Sequence, residues 1–180
     1  MKFQEIEKAV SSANLICINK AGKKYNFFEY AFGEHGTNIP YTLTKEIVEG
    51  LSYIINKTVD YFDYILAPEP GGHTWGLLLG HMLQKDVMIL RNRSTGINYS
   101  QKLIINGYSQ KNIIFQPMDP TSEVIIVDDI ISSGETLKSI IKNTPATING
   151  IYCIYSKNAK HHKIVQKYKI PIHVLAEGQL

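Results

Sequence analysis

The sequence predicts an α/β fold with a mostly parallel central sheet flanked by helices, and three observations carry that prediction. From Tyr61 onward, short apolar runs of strand length alternate with helix-length segments, the pattern of strands joined by crossover helices. One of those runs, Val124 to Val127, is apolar at every position, as a strand covered on both faces requires. It leads straight into two adjacent acids, Asp128 and Asp129, then a small-residue turn and a helical pattern, "DDIISSGETL".

A chain of 180 residues is most economically one domain, with residues 1–60 as an N-terminal cap and residues 61–180 as the parallel core. The apolar fraction of 44% and charged fraction of 19% belong to a soluble globular protein. A net charge of +3 is too mild to imply nucleic acid and suits any small anionic ligand. Cys17 and Cys153 lie far apart, with neither metal-ligand nor redox spacing, so both are expected as reduced thiols. The start, "MKFQEIEKAVSSANLICINKAG", reads as neither signal peptide nor membrane span, and the expectation is a soluble, cytoplasmic protein with no membrane partner.

Residues 3–18 have a loosely helical pattern, and "KKYNFFEYAF" (23–32) is an aromatic-rich extended segment. Its Tyr25, Phe27 and Phe28 form either a lid or the packing of the cap. Thr42 is a possible N-cap for a helix to about residue 57, whose face is marked by Leu43, Ile47, Leu51 and Ile54. "FDYILA" (62–67) is a buried strand, followed by a Gly-rich turn and a helix through about Gln84 that holds Trp75 in the core. "VMILR" (87–91) is the next strand, and the polar stretch 92–111 contains a hairpin or a mobile loop. "EVIIVD" (123–128) feeds a helix starting near Gly134. "INGIYCIY" (148–155), a helix over about 158–168 and "IPIHVLA" (170–176) complete the series. His161 and His162 fall on that last helix, which reads as a surface helix where adjacent imidazoles point in different directions, and no metal is assigned to them.

In sheets of this kind ligands sit beyond the carboxyl ends of the strands, so function is sought in the turns after residues 67, 91, 128 and 155. Asp128 and Asp129 emerge at such an end, and alternation along the strand lets their carboxylates bracket a ligand. Behind them lie the hydroxyls of Ser132, Ser133 and Thr136, the flexible Gly134, and the unpaired N–H groups of a helix start, which favour an anion. Acceptors for sugar hydroxyls and a cradle for a phosphate thus stand about a turn apart, which suits a ribose 5-phosphate. Two solvated acids ahead of an N-cap would be the bland alternative.

Val124 to Thr136 resembles the phosphoribosyl-pyrophosphate (PRPP) binding motif of the type I phosphoribosyltransferases. "PYTLTKEI", "DYILAPEPGG", "LRNRSTG" and "GYSQKNIIF" also occur in the order of the archaeal-type purine (adenine or hypoxanthine/guanine) phosphoribosyltransferases, so the likeness covers roughly residues 23–158. The resemblance implies the type I phosphoribosyltransferase fold with its small hood region. It implies transfer of a ribosyl phosphate from PRPP to a purine base, with Mg²⁺ carried mainly by PRPP and pyrophosphate, and a homodimer. It places the PRPP sugar at Asp128 and Asp129, and the 5′-phosphate at Ser132, Ser133, Gly134, Glu135 and Thr136. It puts pyrophosphate at Glu69, Pro70, Gly71 and Gly72, near Arg91 and Arg93, with Lys102 of the hood reaching toward it; Arg93 is favoured over Arg91. It sets the base against Ile130 and Lys157.

Two positions depart from the family pattern. Ser132 stands where hypoxanthine/guanine enzymes often have an aspartate that serves the purine nitrogen as proton partner, so no general acid/base is assigned. Glu135 brings a negative charge into the phosphate loop, at slight cost if it points outward. Two other readings compete. A pyrimidine (orotate) enzyme would show a lysine-rich hood, which is not evident. A PRPP-sensing transcription regulator of the same fold would carry a helix-turn-helix, for which the first sixty residues are too aromatic and too weakly basic.

Overall fold

The computed structural model describes residues 3–20, 23–33, 36, 38–93, 101–105, 111–115, 117–157 and 160–178; of these, 17–20, 23–28, 92, 93, 101–105, 111–115 and 160 are described by backbone alone. The elements are α1 (Gln4–Ser11), β1 (Asn14–Lys20), β2 (Lys23–Glu29), α2 (Tyr41–Thr58), β3 (Tyr64–Pro68), α3 (Gly72–Leu83), β4 (Asp86–Arg93), β5 (Gln101–Ile105), β6 (Lys111–Phe115), β7 (Glu123–Ile131), α4 (Glu135–Asn143), β8 (Thr147–Ser156), α5 (Lys160–Tyr168) and β9 (Ile172–Glu177).

The main sheet runs β5-β6-β4-β3-β7-β8-β9. Its five strands from β4 to β9 are parallel, while β6 joins β4, and β5 joins β6, in antiparallel fashion. The alternation read from Tyr61 onward is therefore the observed architecture, and the antiparallel pair β5–β6 begins within the stretch 92–111 but runs on to Phe115. Parallel strands buried on both faces need apolar side chains at every position, and Val124, Ile125, Ile126 and Val127 are fully buried. Their alternation divides the core. Ile125 and Val127 pack with Ile6, Leu43, Ile47, Leu51, Ile55 and Trp75 from α1, α2 and α3. Val124 and Ile126 pack on the other face with Leu137 and Ile140 of α4. At roughly 1.5–3 kcal/mol for each fully buried aliphatic side chain, these layers are the chief stabilising term.

Four local expectations are corrected. The helical pattern over residues 3–18 stops at Ser11, and Asn14–Lys20 pairs antiparallel with Lys23–Glu29 in a separate two-stranded sheet. Helix α2 starts at Tyr41 after Pro40, without a side-chain cap; Thr42 instead donates its hydroxyl to Glu5 Oε2 at 3.2 Å, tying α2 to α1. The extended aromatic segment ends at Glu29, and the following turn drops Tyr30 and Phe32 into the core. His161 is buried rather than on the surface. Among the described residues no helix is long and apolar enough to cross a membrane.

Trp75 joins the N-terminal segment to the sheet layer: its indole N–H donates to the Phe32 carbonyl at 3.0 Å, in a fully buried setting. Trp75→Phe keeps most of the apolar volume but leaves that carbonyl unsatisfied. A loss of about 1–3 kcal/mol is expected, read from the urea unfolding midpoint. An unchanged midpoint would show that this bond does not hold the turn.

Candidate active site

Strand β7 outruns its neighbour. Its pairing with β3 ends at Leu66–Ile126, whereas its pairing with β8 continues through Asp128–Cys153 to Ile131–Ser156. The two acids are thus still strand residues, lying beyond the end of the pairing with β3. Each is only 8% exposed, which excludes the reading of two solvated carboxylates. Asp128 Oδ1 accepts the Asp129 N–H at 2.9 Å, and Asp129 Oδ1 accepts the Ile130 N–H at 2.7 Å. Burial pushes the thiol of Cys153 well up, and the two carboxylates add to that shift, so the cysteine beside them stays uncharged.

The turn after β3 closes on these acids. The Glu69–Pro70 bond is cis, and Gly71 and Gly72 lead into α3. A Cβ on Gly71 would overlap the Asp129 carboxylate. One on Gly72 would lie 2.6 Å from the Val127 carbonyl oxygen and 3.0 Å from Asp128 Oδ1. Only glycine permits this approach. Both carboxylates therefore lie against one glycine pair at the start of α3, where the helix dipole favours negative charge. Arg91 forms an ion pair with Glu69, whose N–H is held by the Leu90 carbonyl at 3.0 Å. That pair fixes the rim of the turn. Arg93 and Lys102 lie in β4 and β5, but their side chains fall outside the described residues.

On the other side of the acids, residues 132–136 turn the chain into α4. Gly134 is the N-cap residue at φ 73°, a left-handed conformation that costs a residue with a Cβ roughly 1–2 kcal/mol, and its Cβ would also meet Ile164 of α5. Ser133 Oγ accepts the Glu135 N–H at 3.4 Å, and Ser132 is exposed. Thr136 is half-buried in the first turn of α4. Glu135 points outward, half exposed, and pairs with Lys138 at 2.6 Å, so its charge does not enter the turn.

The third wall was not legible as part of a site. The turn 30–33 comes over the acids from the N-terminal segment: a Cβ on Gly33 would lie 3.2 Å from Ile130 Cδ1 and 3.7 Å from Asp129 Oδ2. Tyr30 stacks on Phe32 at 5.3 Å and tilts against Tyr155 of β8 at 5.3 Å. Burial pushes the Tyr30 phenol far up, with Tyr155 adding to it. Lys157 Nζ stands 5.7 Å over the Tyr30 ring, and its backbone N–H donates to the Ile131 carbonyl at 3.0 Å. Ile130 and Lys157 are thereby brought to one side of the acids, beside an aromatic floor. Aromatic richness in "NFFEYAF" was the only sequence signal, and it did not distinguish lid from core. Tyr25, Phe27 and Phe28 lie in β2 with side chains outside the described residues.

This arrangement offers buried oxygens able to accept from two neighbouring hydroxyls, an anion-accepting helix start behind them, and apolar and aromatic side chains with the Lys157 cation beside them. No family model matches the chain. It is 26% identical over 162 residues to the hypoxanthine/guanine phosphoribosyltransferase of Aciduliprofundum boonei, spanning 87% of this chain and 85% of that protein. It is 29% identical over 156 residues to the protein of the same name from Methanocaldococcus infernus, spanning 82% of each. Among solved structures it superposes on adenine phosphoribosyltransferase from Rhodothermus marinus with a TM-score of 0.74 at 16% identity, over 98% of this chain and 99% of that one. It also matches the Trypanosoma brucei enzyme, crystallised with AMP, pyrophosphate and ribose-5-phosphate, with a TM-score of 0.76 at 14% identity, over 97% of this chain and 78% of that one. The fold is that of the type I phosphoribosyltransferases.

Gly134→Val should weaken binding of ribose 5-phosphate by about tenfold or more, since the new side chain strains the turn and displaces Ile164. Calorimetry on the folded variant reads it. Unchanged affinity would remove the turn from the anion site.

Proposed function

We propose that this chain is a purine phosphoribosyltransferase, which joins a free purine to PRPP and releases pyrophosphate. One observation carries the reading: Asp128 and Asp129 are buried against the Gly71–Gly72 turn at the strand end that leads into the residue 132–136 turn, with Ile130 and Lys157 at the wall formed by the turn 30–33. The reaction breaks the bond from the anomeric carbon to pyrophosphate, whose oxygen keeps the electron pair, while a purine nitrogen bonds to that carbon and gives up its proton to water. Positive charge develops on the sugar ring as in glycoside chemistry, so no protein nucleophile is needed. The chain's task is placement and electrostatics.

Asp128 and Asp129 accept from the ribose hydroxyls and oppose the developing positive charge. The N–H groups of residues 132–136 take the 5′-phosphate, with Gly134 allowing the turn its shape. The backbone N–H groups of Gly71 and Gly72 face the leaving pyrophosphate, since the Glu69 N–H is held by Leu90 and Pro70 has none, with Arg91, Arg93 and Lys102 as its cationic neighbours. The two carboxylates are hard oxygen donors of the kind Mg²⁺ takes, and fit a role at the ion's inner or water-bridged shell. When bound, Mg²⁺ neutralises the charge of the leaving group.

Hypoxanthine or guanine is the base we assign. Lys157 can donate to an exocyclic oxygen but has no acceptor for an amino group, and the curated relatives above carry hypoxanthine/guanine names. The exposed apolar residues Leu77, Leu78 and Met82 on α3 support a homodimer, and we propose the cytoplasm as its compartment.

Incubation with PRPP, Mg²⁺ and each free base in turn tests the reading through pyrophosphate release. Release is expected with hypoxanthine or guanine. Release with adenine alone would overturn the base assignment, and release with no purine would overturn the activity. Asp128→Asn combined with Asp129→Asn should lower kcat/KM by roughly 10²-fold or more while leaving the far-UV circular dichroism unchanged. Near-normal turnover in that variant would contradict the sugar-binding role.

A further inference from the structure

Beyond the aspartate pair, a second cluster forms where β8, β9 and α5 meet. The parallel register sets Ser156, the last residue of β8, opposite Glu177, the last of β9. The first turn of α5 inserts His161 between them. This imidazole is 2% exposed, with Nδ1 2.9 Å from Ser156 Oγ and Nε2 3.0 Å from Glu177 Oε1. Neighbouring residues on a helix diverge by about 100°, so adjacency alone does not bring their side chains together. Yet the exposed ring of His162 is turned back until its centroid is 4.0 Å from that of His161.

We propose that His161, His162 and Glu177 form a binding site for a divalent transition-metal cation of the zinc class. One ligand atom from each residue lies within 4.8 Å of the other two. A tetrahedral ion with bonds of about 2.0–2.1 Å wants its ligand atoms roughly 3.4 Å apart. The buried histidine is the fixed member. Its far nitrogen is engaged by Ser156, the outer hydrogen bond that orients a ligating imidazole. His162 and the half-exposed Glu177 carboxylate are free to rotate through the remaining distance. Two imidazoles and one carboxylate select zinc, nickel or cobalt over magnesium and calcium, which prefer oxygen alone. Three protein ligands leave one position for water. The ion clasps the start of α5 to the end of β9, a few residues from Lys157.

The test uses the metal-free chain without PRPP or base, titrated with Zn²⁺ in excess Mg²⁺ so that hard oxygen sites such as Asp128 and Asp129 are already filled. Calorimetry should give one Zn²⁺ per chain, Co²⁺ should give the visible absorption of a tetrahedral complex, and zinc should raise the thermal midpoint. His162→Ala and Glu177→Gln, both at exposed positions that leave the buried histidine in place, should each weaken binding by at least about tenfold and reduce the thermal shift. No saturable binding would overturn the proposal and leave an ordinary His161–Glu177 contact. Equal binding by wild type and the double variant would place the metal elsewhere, and overturn it too. Neither outcome bears on purine transfer, because no step of that reaction enters the measurement.

Discussion

The structure depends on keeping two adjacent carboxylates buried side by side. Like charges taken out of water are costly unless each is compensated. Part of the compensation is local and built from backbone: each acid accepts the next residue's N–H, β8 continues the hydrogen-bonded ladder alongside them, and the start of α3 abuts both. That arrangement requires glycine at 71 and 72, an uncharged thiol at Cys153, and an unbroken apolar strand beneath. Acids held this way are already positioned before the sugar of the proposed reaction arrives.

The other walls follow from topology. Parallel strands deliver their carboxyl ends to one edge of the sheet, so residues 69–72, 128–136 and 155–157 converge although they are far apart in the chain. The β7 strand stays paired with β8 after its pairing with β3 has ended, and the acids stand on that stretch. The N-terminal segment then closes the site from above, through the Trp75–Phe32 bond and the Tyr30–Phe32–Tyr155 aromatic contacts. The same edge, one strand further on, holds the His161 cluster, so one sheet end carries two distinct sets of polar groups.

Much of this was legible in the sequence because it is local. A wholly apolar strand, the acids at its end and the glycine at a helix start each announce themselves within a few residues, and the order of strands and helices followed from Tyr61 to Glu177. What was not legible depends on distant partners. Asn14–Lys20 has an apolar pattern too short to separate strand from helix, and its pairing with Lys23–Glu29 decides the matter. Thr42 has the chemistry of a cap but finds Glu5 instead. Tyr30 and Phe32 belong to an aromatic string whose burial is set by Trp75 and Tyr155, one more than forty and the other more than a hundred residues away. His161 looked like a surface residue because the β8–β9 register that encloses it is invisible in a helical pattern.

The central claim is that Asp128 and Asp129 hold a sugar diol while residues 132–136 hold its phosphate. A crystal structure of the chain with ribose 5-phosphate tests it most directly. The account predicts the two ribose hydroxyls at the Asp128 and Asp129 carboxylates and the phosphate against the N–H groups at the start of α4. The phosphate found instead in the groove between α4 and α5, among Lys138, Lys142, Lys163 and Lys167, with the aspartates still facing their own backbone, would contradict it.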